Sequence, residues 1–166
     1  MRKQKCIDEA VASASASRLR TPHFLTLVAM LPQLILLGAT MVDDQGAWKA
    51  PASAFAYAAA IYSFLGGYWW GVALTTRPQE RAVFVIAVVP ALFSVALFLP
   101  WIWGWSWPGP QLIVLGIAIM ASVLVDRRFV GPSISSPAWL RVRIMASLGL
   151  GLSTLFIGAI SVGGNG

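Results

Sequence analysis

Hydrophobic residues in this chain are gathered into five long segments, separated by short polar or proline-rich connections. None of the five contains Asp, Glu, Lys or Arg. The segments run from about 24 to 42, 52 to 74, 82 to 99, 111 to 125 and 144 to 162. Because an α-helix rises about 1.5 Å per residue, some 20 apolar residues cross the roughly 30 Å hydrocarbon core of a bilayer. The pattern predicts an all-α integral membrane bundle of five transmembrane helices.

The fourth segment is shorter than the others. Its charge-free run of residues 111–125 reaches only about 22 Å as a helix. It crosses the core if the helix begins near Pro108, which sets the span at about 108–125, and if Arg127 and Arg128 extend their side chains to the interface. A re-entrant hairpin is the alternative.

The basic residues predict the orientation of the bundle, because Lys and Arg accumulate in short cytoplasmic loops. Of the 12 basic residues, a five-span arrangement leaves only Lys49 on the second side. We therefore expect the N-terminus inside and the C-terminus outside. The domain organisation is a cytoplasmic tail at 1–22, a transmembrane domain at 23–162 and a short tail at 163–166.

Composition supports the membrane class. The chain is 58% hydrophobic and 11% charged, with a mean hydropathy of +0.75, whereas roughly a quarter of the residues in a soluble domain are charged. The formal net charge of +6 agrees with orientation and contact with anionic lipid, and we expect no nucleic-acid partner. The residues predicted to contact lipid headgroups are Arg127, Arg128, Arg141 and Arg143.

Tryptophan alternates with other residues between Pro100 and Pro108. Indole rings prefer the interface between membrane and water, so this connection predicts an interfacial aromatic belt. A docking surface for a partner subunit or an aromatic cofactor is the alternative. The belt residues are Trp101, Trp103, Trp105 and Trp107.

Small residues recur every four positions in the second segment, at Ala59, Ser63, Gly67 and Gly71. They would form a ridge on one face of a helix. Such a ridge serves packing within the bundle, contact with another subunit, or a binding crevice. A looser small-residue face in the fifth segment, Ser147 to Gly158, is expected to pack against it. The predicted packing or partner-contact residues are Ala59, Ser63, Gly66, Gly67, Trp70 and Gly71.

Residues that could carry chemistry are few. No ionisable group lies inside the spans, and no hydrolase or metal-site motif is present. The single cysteine, Cys6, cannot form an intrachain disulfide or a cysteine cluster, and we interpret His23 as a boundary residue. Asp126 and Arg127 are expected to form a solvated pair at a helix end. We predict no catalytic residue, no metal and no cofactor.

Three stretches resemble a family of small uncharacterised membrane proteins that includes transmembrane protein 69. They are Ser63–Gly71 (SFLGGYWWG), Leu124–Arg127 (LVDR) and Pro137–Arg143 (PAWLRVR). Leu140 stands where family members carry a tyrosine. The resemblance implies a five-span protein of the bacterial inner (cytoplasmic) membrane, or of the mitochondrial inner membrane in a eukaryote, and it implies no activity.

The leading functional hypothesis is a non-catalytic accessory or assembly subunit of a larger membrane complex in an energy-transducing membrane. Its expected partners are membrane lipids and other membrane protein subunits. The alternatives are a small oligomeric transporter or channel, with a pathway around Pro32, Gln33 and the second-segment glycines, and a lipid- or quinone-binding membrane protein.

Overall fold

The computed structural model describes residues 24–42, 48–76, 79–105, 108–130 and 137–163. Within these ranges the all-α class is confirmed, because every regular element is helical. A five-residue π-helical turn, Asp126–Val130, directly follows the fourth helix. The helices are α1 (Phe24–Val42), α2 (Lys49–Thr76), α3 (Arg81–Ile102), α4 (Gly109–Val125) and α5 (Pro137–Gly163).

Four helical runs are long and apolar enough to cross a membrane, which makes this a multi-pass membrane protein. They are Phe24–Val42, Arg81–Ile102, Gly109–Arg128 and Leu140–Gly163. The remaining helix, α2, is the longest at 28 residues. Its tyrosines, tryptophans and glycines make it less apolar than the others, and it contacts α3, α4 and α5.

The fourth segment is one continuous helical run. It begins at Gly109, immediately after Pro108, and the π-helical turn extends it to Val130. A re-entrant hairpin would need a break in the middle of this run, and the helix has none. The 20 residues from Gly109 to Arg128 correspond to about 30 Å of helix, the thickness of a hydrocarbon core.

Helices α4 and α5 pack antiparallel along a seam of glycines. A methyl group added at Gly116 would lie 2.8 Å from the carbonyl oxygen of Gly151, and one added at Gly158 would lie 2.9 Å from that of Gly109. Only residues without a side chain allow two backbones to approach this closely. The small-residue face of α5 was expected to pack against α2, and that expectation is wrong, because its glycines meet α4.

Helix α3 also packs against α2. A methyl group added at Gly66 would overlap the carbonyl oxygen of Ala87, and Pro90 lies beside the same position. The Ser94 hydroxyl donates to the carbonyl of Pro90 at 2.8 Å and lies 3.4 Å from the carbonyl of Ala59. Small residues on α2 therefore hold α3 close.

Helix α1 lies at the edge of the bundle, and most of its apolar side chains are exposed. Polar contacts in the described part of the chain attach it to α5 and α2. The amide Nε2 of buried Gln33 donates to Thr154 Oγ1 on α5 at 2.9 Å, and the Tyr57 hydroxyl on α2 donates to the carbonyl of Ala29. The core itself lies among α2, α4 and α5, and includes Phe55, Tyr62, Leu112, Leu115, Ile119, Leu150 and Ile157.

Candidate functional site

A buried ion pair lies at the end of the bundle where α4 finishes and α5 begins. The Nε of Arg143 donates to Asp126 Oδ2 at 2.9 Å, and the indole Nε1 of Trp69 donates to Asp126 Oδ1 at 2.7 Å. Asp126 is 0% exposed, Trp69 is 3% exposed, and the Arg143 side chain is 19% exposed. These three residues, which we call the Asp126 clamp, join α2, α4 and α5.

The glycine seam explains why the clamp forms. A register that sets Gly116 opposite Gly151 and Gly109 opposite Gly158 also sets residue 126 opposite residue 141. Arg143 is then within one helical turn of Asp126. Asp126 is also the first residue of the π-helical turn, and such wide turns are frequent at functional sites.

Arg143 has donors that the clamp does not use. A guanidinium carries five N–H donors, and the contact with Asp126 uses the one on Nε. The group also lies 5.5 Å from the ring centre of Tyr68. Among the residues that the structure describes, the buried Nη2 of Arg143 has no hydrogen-bond partner. The clamp therefore neutralises the arginine but leaves the N–H donors of Nη2 without an acceptor among the described residues.

The expected solvated pair of Asp126 and Arg127 is wrong. Asp126 is fully buried and binds Arg143, while Arg127 is exposed. Neighbouring residues on a helix point in different directions and do not face each other. The partner of the carboxylate had to come from another helix, 17 positions along the chain.

The four arginines predicted to contact lipid headgroups differ in their surroundings. Arg127, Arg128 and Arg141 are exposed, whereas Arg143 reaches into the clamp. Together with Arg81 at the start of α3, they give this end of the bundle a surplus of positive charge. We call it the basic end. Headgroup contact stays a prediction for all four.

The small-residue ridge of α2 divides between two environments. Ala59 and Ser63 face α3, where the hydroxyls of Ser63 and Ser94 lie 3.5 Å apart. A methyl group added at Gly67 or Gly71 would have no neighbour within 4 Å among the described residues. The closest packing is at Gly66, beside the ridge. Trp70 is exposed and meets Phe84 edge-on, with ring centres 5.1 Å apart.

The predicted aromatic belt lies at the other end of α3. Trp101, Trp103 and Trp105 are exposed by about half or more of their surface, and Trp107 lies outside the described residues. Gly104 has a φ of +73°, a left-handed conformation that glycine adopts without strain and that turns the chain after α3. An interfacial position for these tryptophans stays a prediction.

Grooves open between the described helices. One of about 430 Å³ lies between α1, α2 and α5 and includes Arg143 in its wall. A second, about 380 Å³, lies between α2 and α3, and a third, about 350 Å³, lies between α2, α3 and α4. All three are lined mainly by apolar side chains.

No cluster of three or more His, Cys, Asp or Glu side chains that could hold a metal occurs in the described ranges. His23 and Cys6 lie outside those ranges. The Asp126 clamp is therefore the clearest candidate for a polar functional site among the described residues. The sequence pointed to Asp126 and Arg143 separately and included Trp69 only within the stretch SFLGGYWWG, so the three were not brought together.

The three clamp residues come from the three sequence stretches singled out above, one from each. Trp69 lies in SFLGGYWWG, Asp126 in LVDR and Arg143 in PAWLRVR. A family model described as "Protein of unknown function (DUF3429)" matches residues 19–159, a range that contains all three stretches. No curated protein and no solved structure matched the chain.

Proposed function

Because the chain belongs to this family of unknown function, whose description assigns no activity, we propose a function from the geometry alone. The protein is a five-span membrane protein with the basic end on the cytoplasmic or matrix side. It serves as a non-catalytic accessory or assembly subunit that offers one face of α2 to a helix of a partner protein.

The observation that carries this proposal is the composition of the exposed face of α2. Five small residues lie exposed along it, although Phe64 interrupts their row. We call them the α2 stripe: Ser53, Ala56, Ala60, Gly67 and Gly71. Small residues let a second helix approach closely, and interfaces between transmembrane helices are enriched in them.

The other helices expose more large apolar side chains for their length than α2, which exposes Phe64, Trp70 and Leu74. Leu27 and Ile35 on α1, Leu92 on α3 and Phe156 on α5 are each exposed by more than half. Large apolar side chains of this kind suit contact with acyl chains. The contrast supports a partner helix for α2, with lipid against the other three.

The groove between α2 and α3 makes the surface beside the α2 stripe concave. Ala56 and Ala60 line it from α2, while Ala91 and Val95 line it from α3. A concave surface with small residues at its floor accepts the larger side chains of an opposing helix. This supports the subunit hypothesis over a transport pathway, for which a polar lining would be expected, and Gln33 is engaged with Thr154 on α5.

Native separation of the gently solubilised protein tests the proposal. The wild-type chain should migrate in an assembly that contains other membrane polypeptides, as identified by mass spectrometry. Gly67→Leu should release it from that assembly while leaving its own fold intact, because the structure has open space at this position. Migration of the wild-type chain alone, or only with copies of itself, would refute the proposal.

Two matched variants control this experiment. Ala96→Leu places the same side chain on an exposed position of α3 and should leave the assembly unchanged. Gly66→Leu, one residue from Gly67, should unfold the chain itself because the new side chain would collide with Ala87. A result in which Gly67→Leu and Ala96→Leu behave alike would remove the case for the α2 stripe.

The resemblance to the family that includes transmembrane protein 69 supports a location in a bacterial inner membrane or a mitochondrial inner membrane. Fractionation of the membranes of the source cell tests this part of the proposal. Recovery with an outer or secretory membrane would contradict it.

A further inference from the structure

The groove between α1, α2 and α5 has one polar end and a long apolar floor. Arg143 and Ser147 line it near the basic end, and Met30, Phe64 and Leu150 line it further along. Its volume of about 430 Å³ is within the range of pockets that bind small molecules. The lining therefore matches a molecule that has a polar head and an apolar chain.

The length of the groove agrees with its place in a bilayer. Seven residues separate Arg143 from Leu150 on α5, which is about 10 Å along the helix axis. That distance is about a third of the hydrocarbon core. A head held at Arg143 would stand near the membrane surface, with the first part of its chain in the groove.

The charge of the basic end indicates whether the polar head of the bound molecule is anionic or cationic. The described charged residues there are Glu80, Arg81, Asp126, Arg127, Arg128, Arg141 and Arg143. Positive groups outnumber negative ones, and both oxygens of Asp126 already accept hydrogen bonds. The Nη2 of Arg143 is buried and has no partner in the described part of the chain. Guanidinium N–H groups pair well with phosphate oxygens.

We infer that this groove is a binding site for an anionic phospholipid of the leaflet at the basic end. The phosphate accepts from Arg143, and one acyl chain lies along the groove against α1, α2 and α5. Asp126 fixes the guanidinium in place and leaves its remaining donors for the lipid. This inference stands independently of the proposed subunit function.

Native mass spectrometry of the full chain, released from nanodiscs, tests the site. The probes are phosphatidylglycerol and phosphatidylcholine with identical acyl chains. We expect one tightly retained phosphatidylglycerol per chain, bound about tenfold more tightly than phosphatidylcholine. Both lipids offer a phosphate to Arg143, but the positive charge of the basic end repels the choline cation. Equal retention of the two lipids by the wild-type protein would overturn the inference.

Variants distinguish lipid binding in the groove from a general attraction of anionic lipid to the positively charged surface. Ala146→Leu fills the groove without touching the ion pair and should abolish the preference, whereas Ala96→Leu on α3 should keep it. Arg141→Ala removes an exposed charge and should also keep it. The inference fails if Ala146→Leu retains the preference, or if Arg141→Ala loses as much of it as Ala146→Leu does.

A second groove variant covers the case in which Ala146→Leu does not fold. Arg143→Lys keeps a positive charge beside Asp126 but lacks the planar fork of donors. It should reduce the retention of phosphatidylglycerol severalfold while circular dichroism shows unchanged helix content. Retention equal to that of the wild type would count against phosphate binding at Arg143.

Discussion

Breaking the Asp126 clamp should cost a large part of the stability of the bundle. Removing one partner of a buried ion pair leaves the other charge unpaired, at a cost of about 3 to 5 kcal/mol. Asp126→Leu leaves Arg143, which is 19% exposed and can turn toward water, so we expect about 3 kcal/mol, at the lower end of that range. Arg143→Met leaves Asp126, which is 0% exposed, so we expect about 4 kcal/mol.

The double variant Asp126→Leu/Arg143→Met tests whether these costs arise from the pair. Replacing a buried ion pair by apolar residues of similar volume is often neutral. We expect the double variant to lie within about 1.5 kcal/mol of the wild type, because it loses the hydrogen bond from Trp69 to a charged acceptor and the contact of the guanidinium with the Tyr68 ring, but leaves no charge unpaired. The coupling energy in the double-mutant cycle would be several kcal/mol.

Reversible unfolding in mixed micelles, followed by circular dichroism, measures all four proteins. Arg141→Ala is the matched control, since this arginine lies two residues away and is exposed; its effect should stay within about 0.5 kcal/mol. A coupling energy below about 0.5 kcal/mol, or single variants no worse than the control, would refute the clamp as a stabilising unit.

Four further substitutions follow from the packing and the clamp, each measured by the same unfolding assay. Gly151→Leu should lower the free energy of unfolding by about 3 kcal/mol, because the new side chain overfills the seam with α4. Gly163→Leu is the control and should change it very little, because the structure has open space at this position. Similar losses at both positions would contradict the glycine seam. Thr154→Val removes the acceptor for Gln33 and should cost about 1 kcal/mol, as other hydrogen bonds between membrane helices do; an unchanged midpoint would show that this contact does not anchor α1. Trp69→Phe keeps a ring but loses the N–H donor and should cost about 1.5 kcal/mol; no loss would mean that the indole serves packing alone.

The helices could be predicted from the sequence because a bilayer imposes long apolar runs without charge. The first segment, 24–42, is helical throughout. The fifth was expected to begin near 144, whereas α5 begins at Pro137. A helix can continue beyond the apolar run when its first turns carry polar residues such as Arg141, which hydropathy alone does not include.

The clamp could not be predicted from residue types taken one at a time. Asp126 and Arg143 are joined by the antiparallel register of α4 and α5, which depends on contacts between distant positions. A signal was nevertheless present. Gly109 and Gly116, like Gly151 and Gly158, are seven positions apart, and matching the two pairs in antiparallel order brings residue 126 near Arg143.

The packing contacts of the glycines in the second segment also could not be predicted from their spacing alone. A four-residue period groups Gly67 and Gly71 with Ala59 and Ser63, yet the closest contact with α3 is at Gly66. A helix advances 100° per residue, so a neighbour of the ridge can face the crossing point more directly than its members. Which face of α2 contacts α3 also depends on Ala87 and Pro90 of α3. The spacing of residues within α2 carries no information about these two.

The five-span topology is tested most directly at the two ends of α2, the helix whose composition is the least apolar. In a Cys6→Ala background, single cysteines at Lys49 and Glu80 flank α2, and cysteines at Gly104 and Arg128 flank the fourth span. A membrane-impermeant maleimide added from the outer side should label Lys49→Cys and Gly104→Cys but not Glu80→Cys or Arg128→Cys. Labelling of Lys49→Cys and Glu80→Cys from the same side would contradict the account, because α2 would then not cross the membrane.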